Sequence, residues 1–186
     1  MSAQARRARE LIGLPVLSVA EGQHLGTITA LRVRREARSV AAVAVGGGAF
    51  SRPQSLRFSD LQTLGADAAM VASAAILKHG VPPAELRELD EGLTGRAVIT
   101  ESGHRLGEIV DFTLDPASGR IETYWVRPDA GLLARLAALV KPETVSLPDA
   151  LVVALGAHAL IVRDEALSLF EREAPRDAAA GGAPAP

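Results

Sequence analysis

The sequence predicts an all-β protein made of two copies of one small domain. Three observations carry this: an internal duplication, short alternating segments bounded by turn residues, and few long helical patterns. Leu11-x-Gly13 followed by Gly22-x-x-Leu25-Gly26-x-Ile28 returns as Leu93-x-Gly95 followed by Gly103-x-x-Leu106-Gly107-x-Ile109. Each copy closes on a second shared motif, Leu64-Gly65-Ala66-x-Ala68-x-x-Val71 and Leu155-Gly156-Ala157-x-Ala159-x-x-Val162. The offset is 82 at the first glycine, 81 at the Leu-Gly pair and 91 at the closing motif, so one residue is lost early and about ten are gained late. Duplicated domains drift in this way in their loops. A solenoid needs roughly three repeats or more, so each copy is expected to be a self-contained domain. At about 75 residues it is near the lower limit for an adequate core, and the halves are expected to pack on each other or on a partner.

The elements follow in order. Pro15 to Ala20 and Ala97 to Thr100 are short β-prone runs ending at Gly-containing turns. From Leu25 and from Leu106 the pattern alternates with period two, as in Leu106-x-Glu108-x-Val110-x-Phe112-x-Leu114, which predicts a strand with one buried face. Leu31 and Val33 stand where Phe112 and Leu114 stand. Asp115-Pro-Ala-Ser-Gly119 is a turn opened by aspartate and proline and closed by glycine. Arg34-Arg-Glu-Ala-Arg38 holds the same place. Val40 to Val45 and Ile121 to Val126 have strand compositions. Gly46 to Pro53 is loop-like by composition, whereas Gly131 to Val140 predicts three helical turns with an apolar face, ended by Pro142. Asp60 to Ile76 and Pro148 to Ala166 read as strand, tight Gly-Ala turn and strand. A meander of such short strands fits a small barrel or sandwich.

Composition limits the function classes. A hydrophobic fraction of 48% with 23% charged residues is ordinary for a globular chain. Zero cysteines exclude disulfides, thiolate metal sites and thiol nucleophiles. No signal peptide is expected, because Gly13 and Pro15 interrupt the N-terminal segment, and the uncharged run Ala150 to Val162 is short of the ~20 apolar residues that cross a bilayer. A cytoplasmic location is expected. Residues 1–60 carry nine basic against four acidic residues, net +5, and residues 61–186 carry eleven against eighteen, net −7. That asymmetry means either an electrostatic preference of the first domain or two charged surfaces that face each other.

These motifs, with the strand that carries Asp111 and the Asp115 to Gly119 turn, are similar to the PRC-barrel domain, and the chain resembles two such domains in tandem. The family's β-barrel is shared by the cytoplasmic part of the photosynthetic reaction centre H subunit, the C-terminal half of the ribosome maturation factor RimM, and many small stand-alone proteins. The resemblance implies two tandem small β-barrels with short helical insertions. The first domain is expected at 10–77 and the second at 92–173, and composition adds an N-terminal basic arm at 1–9, a prolyl and acidic linker at 78–91 and a disordered Ala/Gly/Pro tail at 174–186. It also implies a scaffold or adaptor with no shared catalytic residues. The first copy departs from the pattern at Thr27 and Thr29, where acidic residues often sit, and in its basic strand-turn.

No catalytic, cofactor or metal residues are expected. The glycines match no phosphate-cradling loop. His24, His79, His104 and His158 share no ligand spacing, and no Gly-x-Ser-x-Gly elbow is present. Two surfaces remain as candidates. Arg32, Arg34, Arg35 and Arg38 form a basic cluster able to meet RNA phosphates, or else a charged strand face that blocks edge pairing. Trp125 alternates with Tyr124, so one points in and the other out. An outward Trp125 beside Leu132, Leu133, Leu136 and Leu139 would suit a protein contact, and the competing account is that this insertion covers its own barrel. The expected partner is a protein. RNA or the ribosome, a membrane complex akin to the reaction centre, and a second copy of the chain are the alternatives.

Overall fold

The structure, a computed structural model, describes residues 5–47, 54–135 and 143–173. The elements run β1 (Arg6–Arg7), α1 (Ala8–Leu11), β2 (Pro15–Ser18), β3 (His24–Arg34), β4 (Ser39–Gly46), β5 (Gln54–Arg57), β6 (Leu61–Leu64) and β7 (Ala69–Val71). After α2 (Pro83–Leu86) and β8 (Asp90–Glu91) come β9 (Ala97–Thr100), β10 (Arg105–Leu114), β11 (Ile121–Pro128), α3 (Ala130–Arg135), β12 (Val145–Pro148), β13 (Val152–Leu155), β14 (Ala159–Val162) and α4 (Leu167–Glu173). The predicted tail at 174–186, most of the Gly-rich loop and the second half of the predicted 131–140 helix lie outside the described residues.

Both copies fold alike. The strand order is β5-β4-β3-β2-β7-β6 in the first and β12-β11-β10-β9-β14-β13 in the second, an open path in each case. β2 and β7 pair in parallel, as do β9 and β14, while the other neighbours are antiparallel. The closing motifs are the hairpins β6–β7 and β13–β14, as the sequence predicts.

The long strands depart from strict alternation. Their pairing slips between Ile28 and Ala30 in β3 and between Ile109 and Asp111 in β10, equivalent positions in the two copies. A bulge of this kind turns the following side chains to the other face. Ile109, not Val110, is therefore the core residue, followed by Phe112 and Leu114. Gly107 allows the crossing, because a Cβ there would lie 2.0 Å from the Arg127 carbonyl oxygen. Gly26 does the same in the first copy at φ +143°, where a Cβ would lie 2.6 Å from the Gly46 oxygen.

The seventh strand of each sheet comes from the segment preceding the other barrel. β1, from the N-terminal arm, pairs with β10 through Arg6 opposite Leu114 and Arg7 opposite Thr113. β8, from the linker, pairs with β3 through Asp90 opposite Val33 and Glu91 opposite Arg32. These positions of β3 and β10 correspond, so the two barrels exchange their lead segments across a pseudo-twofold axis. The basic arm and the linker each supply a strand to the opposite barrel. A single hydrophobic cluster runs through both barrels, from Leu11, Val16 and Ile28 to Leu106, Tyr124 and Phe170. Small cores gain by such sharing, since surface-to-volume ratio limits each alone. A second cluster, Ala42, Val81 and Leu89, seats the linker on the outer face of β4.

Candidate binding surface at the barrel seam

The four candidate arginines do not form a free cationic stripe. Arg32 pairs with Glu91, Arg34 Nη2 lies 3.2 Å from Glu85, Arg35 Nε lies 3.2 Å from Asp90, and Arg38 Nε lies 2.7 Å from Asp149. The carboxylates come from the linker and from the second barrel. The charge asymmetry between the halves is thus two charged surfaces facing each other. Arg57 also reaches Glu85 at 2.8 Å, and its hydrogen bond first, then its charge, holds that carboxyl below its ordinary range. Pairs this open to solvent contribute little stability, so their main effect is to occupy the cations. The edge of β3 is covered by β8.

Asp90 and Arg96 join the linker to the second barrel. Arg96 Nη2 lies 2.8 Å from Asp90 while its Nη1 donates to the Gly156 carbonyl at 2.5 Å. In the first barrel the equivalent turn carbonyl, Gly65, is met at 2.6 Å by Arg6 from the N-terminal arm. Arg96 sits where the first copy has the buried Leu14, so the first barrel takes its turn-capping cation from the arm instead.

Tyr124 points inward and is fully buried, and Trp125 points outward. Trp125 is covered by the arm, with the Arg7 guanidinium 4.0 Å over its ring and its indole Nε1 buried without a hydrogen-bond partner among the described residues. Leu132 faces the barrel, as the account in which the insertion covers its own barrel requires. It is 2% exposed and belongs to the core, because the first turn of α3 folds back on the barrel. The side chain of Leu133 and the whole of Leu136 and Leu139 lie outside the described residues.

A histidine, a serine and an aspartate do meet in the second barrel. Ser102 Oγ lies 2.6 Å from Asp164 Oδ1, 2.9 Å from His104 Nδ1 and 3.0 Å from Thr100 Oγ1. With the single hydroxyl proton donated to the carboxylate, the imidazole Nδ1 is the donor toward Ser102 and does not serve as its base. Nucleophilic catalysis needs the opposite wiring. The hydroxyl and the Ser102 amide hold the Asp164 carboxyl below its usual range, and the arrangement fixes the turn. Glu21 acts alike in the first copy, lowered first by the Ser18 hydroxyl and then by the Ala74 amide. Among the described residues no three His, Asp or Glu side chains converge as metal ligands would.

The seam itself holds a groove of about 360 Å³ built from both copies, which sequence reasoning did not find. The N-terminal segment contributes Ala8, Arg9 and Ile12 against Val110, Asp111 and Phe112 of β10, and the linker contributes Glu91 and Gly92 against Ala30 and Leu31 of β3. Ile12 is 47% exposed, Asp111 only 6%. Asp111 Oδ1 accepts from the Arg9 and Phe112 amides at 3.3 and 2.9 Å. Its Oδ2 is buried and has no hydrogen bond among the described residues, with Arg9 Nε at 3.4 Å as counter-charge. Tertiary contact alone creates this site, so no local motif marks it.

Two like β-folds locked by exchanged strands, with a groove on their axis, define a tandem barrel protein with a composite seam. Comparison with known families agrees: the PRC-barrel domain model matches twice, at residues 4–76 and 89–167. The chain belongs to the PRC-barrel family. Both matches include the exchanged lead segments. No curated protein matches the chain. Among the described residues no helix is long and apolar enough to cross a membrane.

Proposed function

We propose that this protein is a non-catalytic cytoplasmic scaffold whose two locked barrels present a composite surface to a protein partner. The reading rests on the reciprocal exchange of β1 and β8, which fixes the relative orientation of the barrels through backbone hydrogen bonds and a shared core. A surface spanning both barrels is then preorganised, and binding it costs less ordering entropy. The ion pairing of Arg32, Arg34, Arg35 and Arg38 supports a protein partner over RNA, because phosphate binding would have to displace four carboxylates.

The test is affinity capture of the tagged protein from its native lysate at low and high salt, with and without RNase. A protein partner retained at high salt and after RNase is expected. A ribosomal set that vanishes with RNase or salt would overturn the scaffold reading in favour of ribosome assembly. Recovery only with membranes would overturn it in favour of a membrane-complex regulator.

A further inference from the structure

We propose that the seam groove is the docking pocket for a basic side chain of the protein partner, with Asp111 as its anchor and Arg9 as a displaceable gate. This deepens the scaffold reading and rests on it.

Three features of the groove specify a cation with an aliphatic stem. The first is the Asp111 carboxylate. It is 6% exposed, and its Oδ2 receives no hydrogen bond although Oδ1 receives two. A buried carboxylate oxygen without a donor is a costly state that a bound N–H group would relieve. The second is the lining, where Ala8, Ile12, Leu31, Val110 and Phe112 supply apolar wall in a volume of about 360 Å³, enough for one long side chain. The third is charge. Asp111 and Glu91 are the acidic groups of the lining, and Glu91 is already engaged by Arg32 outside it.

The chain supplies its own stand-in for the ligand. Arg9 places Nε 3.4 Å from Asp111 Oδ2, close enough for charge but with no hydrogen bond, and its side chain remains 68% exposed. The Arg9 end of the pair lies in solvent and makes no hydrogen bond to Oδ2, so it is the displaceable partner, while Asp111 stays buried and fixed by the two amides. A partner's lysine or arginine laid along Ile12 and Phe112 would replace a loose pair with a closer one. The first copy lacks the anchor, since Ala30 stands where Asp111 stands in the second. The pocket is therefore single although the fold is duplicated, and it exists only when both barrels are joined.

The test uses the full chain and a chemically defined probe, N-acetyl-arginine amide, with the neutral N-acetyl-citrulline amide as control. Binding is followed by ¹H–¹⁵N NMR at the Phe112 amide and the Trp125 indole. Shifts with arginine and none with citrulline are expected. Arg9→Ala should tighten binding up to about five-fold, the worth of a weak exposed pair. Asp111→Asn should weaken it at least about ten-fold while leaving the remaining spectrum folded. Ile12→Arg, at an exposed rim position that does not threaten the core, should block the probe. Equal binding of both probes, binding indifferent to Asp111→Asn, or no binding even in Arg9→Ala would overturn the proposal. The two readings fail separately. A high-salt partner held equally by wild type and Asp111→Asn overturns the pocket alone, whereas capture of an RNase-sensitive ribosomal set overturns the scaffold.

Discussion

Arg38 and Gly119 occupy equivalent left-handed backbone positions, φ 45° and 72°, and meet across the barrel seam. The Arg38 carbonyl accepts from the Ile121 amide at 2.9 Å, and the Gly119 carbonyl accepts from the Val40 amide at 2.8 Å. Val40 and Ile121 are themselves equivalent, so the two turns form a reciprocal clasp about the pseudo-twofold axis. Gly119 is suited to this conformation, whereas Arg38 adopts it at a cost of about 1–2 kcal/mol. Its guanidinium, 2.7 Å from Asp149 of the other barrel, offsets part of that cost.

Replacing Arg38 therefore separates backbone strain from ion pairing. Arg38→Ala loses the Asp149 pair and keeps the strained φ, while Arg38→Gly loses the pair and removes the strain. The glycine variant is expected to be the more stable by about 1 kcal/mol despite its larger unfolded-state entropy. Urea denaturation of both variants measures the difference. Equal midpoints would show that the turn relaxes once the side chain is gone.

Much of this architecture was legible in the sequence because the duplication, the Gly-x-x-Leu-Gly turns and the closing hairpins are local signals. The exchanged lead segments were not. A two-residue strand such as Arg6–Arg7 or Asp90–Glu91 has no periodicity to read, and its partner is set by tertiary proximity. The same limit applied to the site. Arg32, Arg34, Arg35 and Arg38 are visible as a run of charge, but their carboxylates lie at a distance along the chain in Glu85, Asp90, Glu91 and Asp149. Asp111 read as part of an alternating strand, and only the bulge after Ile109 places it beneath the arm.

Gly107 should be intolerant of any side chain. A Cβ would lie 2.0 Å from the Arg127 carbonyl oxygen and 2.9 Å from its carbon, both backbone atoms that cannot rotate away. Overpacking against movable side chains costs typically about 1–3 kcal/mol, so Gly107→Ala is expected to cost about 3 kcal/mol or more. Thermal unfolding checks it. A variant with unchanged midpoint would mean that β10 and β11 can separate locally without loss.

Tyr124 is the sole tyrosine of the chain, so its ionisation can be read without overlap. Burial chiefly, and then the negative charge of Asp149, pushes its phenol well above the ordinary value of 10.0. The hydroxyl lies 3.3 Å from Asp149 Oδ1 as donor. The native state therefore holds the proton that the unfolded state releases, and stability contributed by Tyr124 is complete below about pH 10 and is lost as pH rises above it. Ultraviolet absorbance at about pH 11 should show phenolate in urea-unfolded protein and none in native protein. Phenolate in both would place the ring in solvent.

Arg7 and Trp125 report on the seating of the N-terminal arm. The guanidinium stacks 4.0 Å from the centroid of the only tryptophan, so one fluorophore senses one contact. Arg7→Ala should shift Trp125 emission to the red by admitting water and reduce stability by about 0.5–1 kcal/mol, the worth of a partly exposed cation–π pair. Trp125→Ala distinguishes two roles for the indole. As a partner contact it would weaken capture with little change in melting temperature, because its ring lies outside the shared core. As the floor that seats the arm it would lower the melting temperature and leave capture intact. The buried, unpartnered Nε1 and the Arg7 lid favour the second outcome, since a binding residue would first have to lose its intramolecular cover.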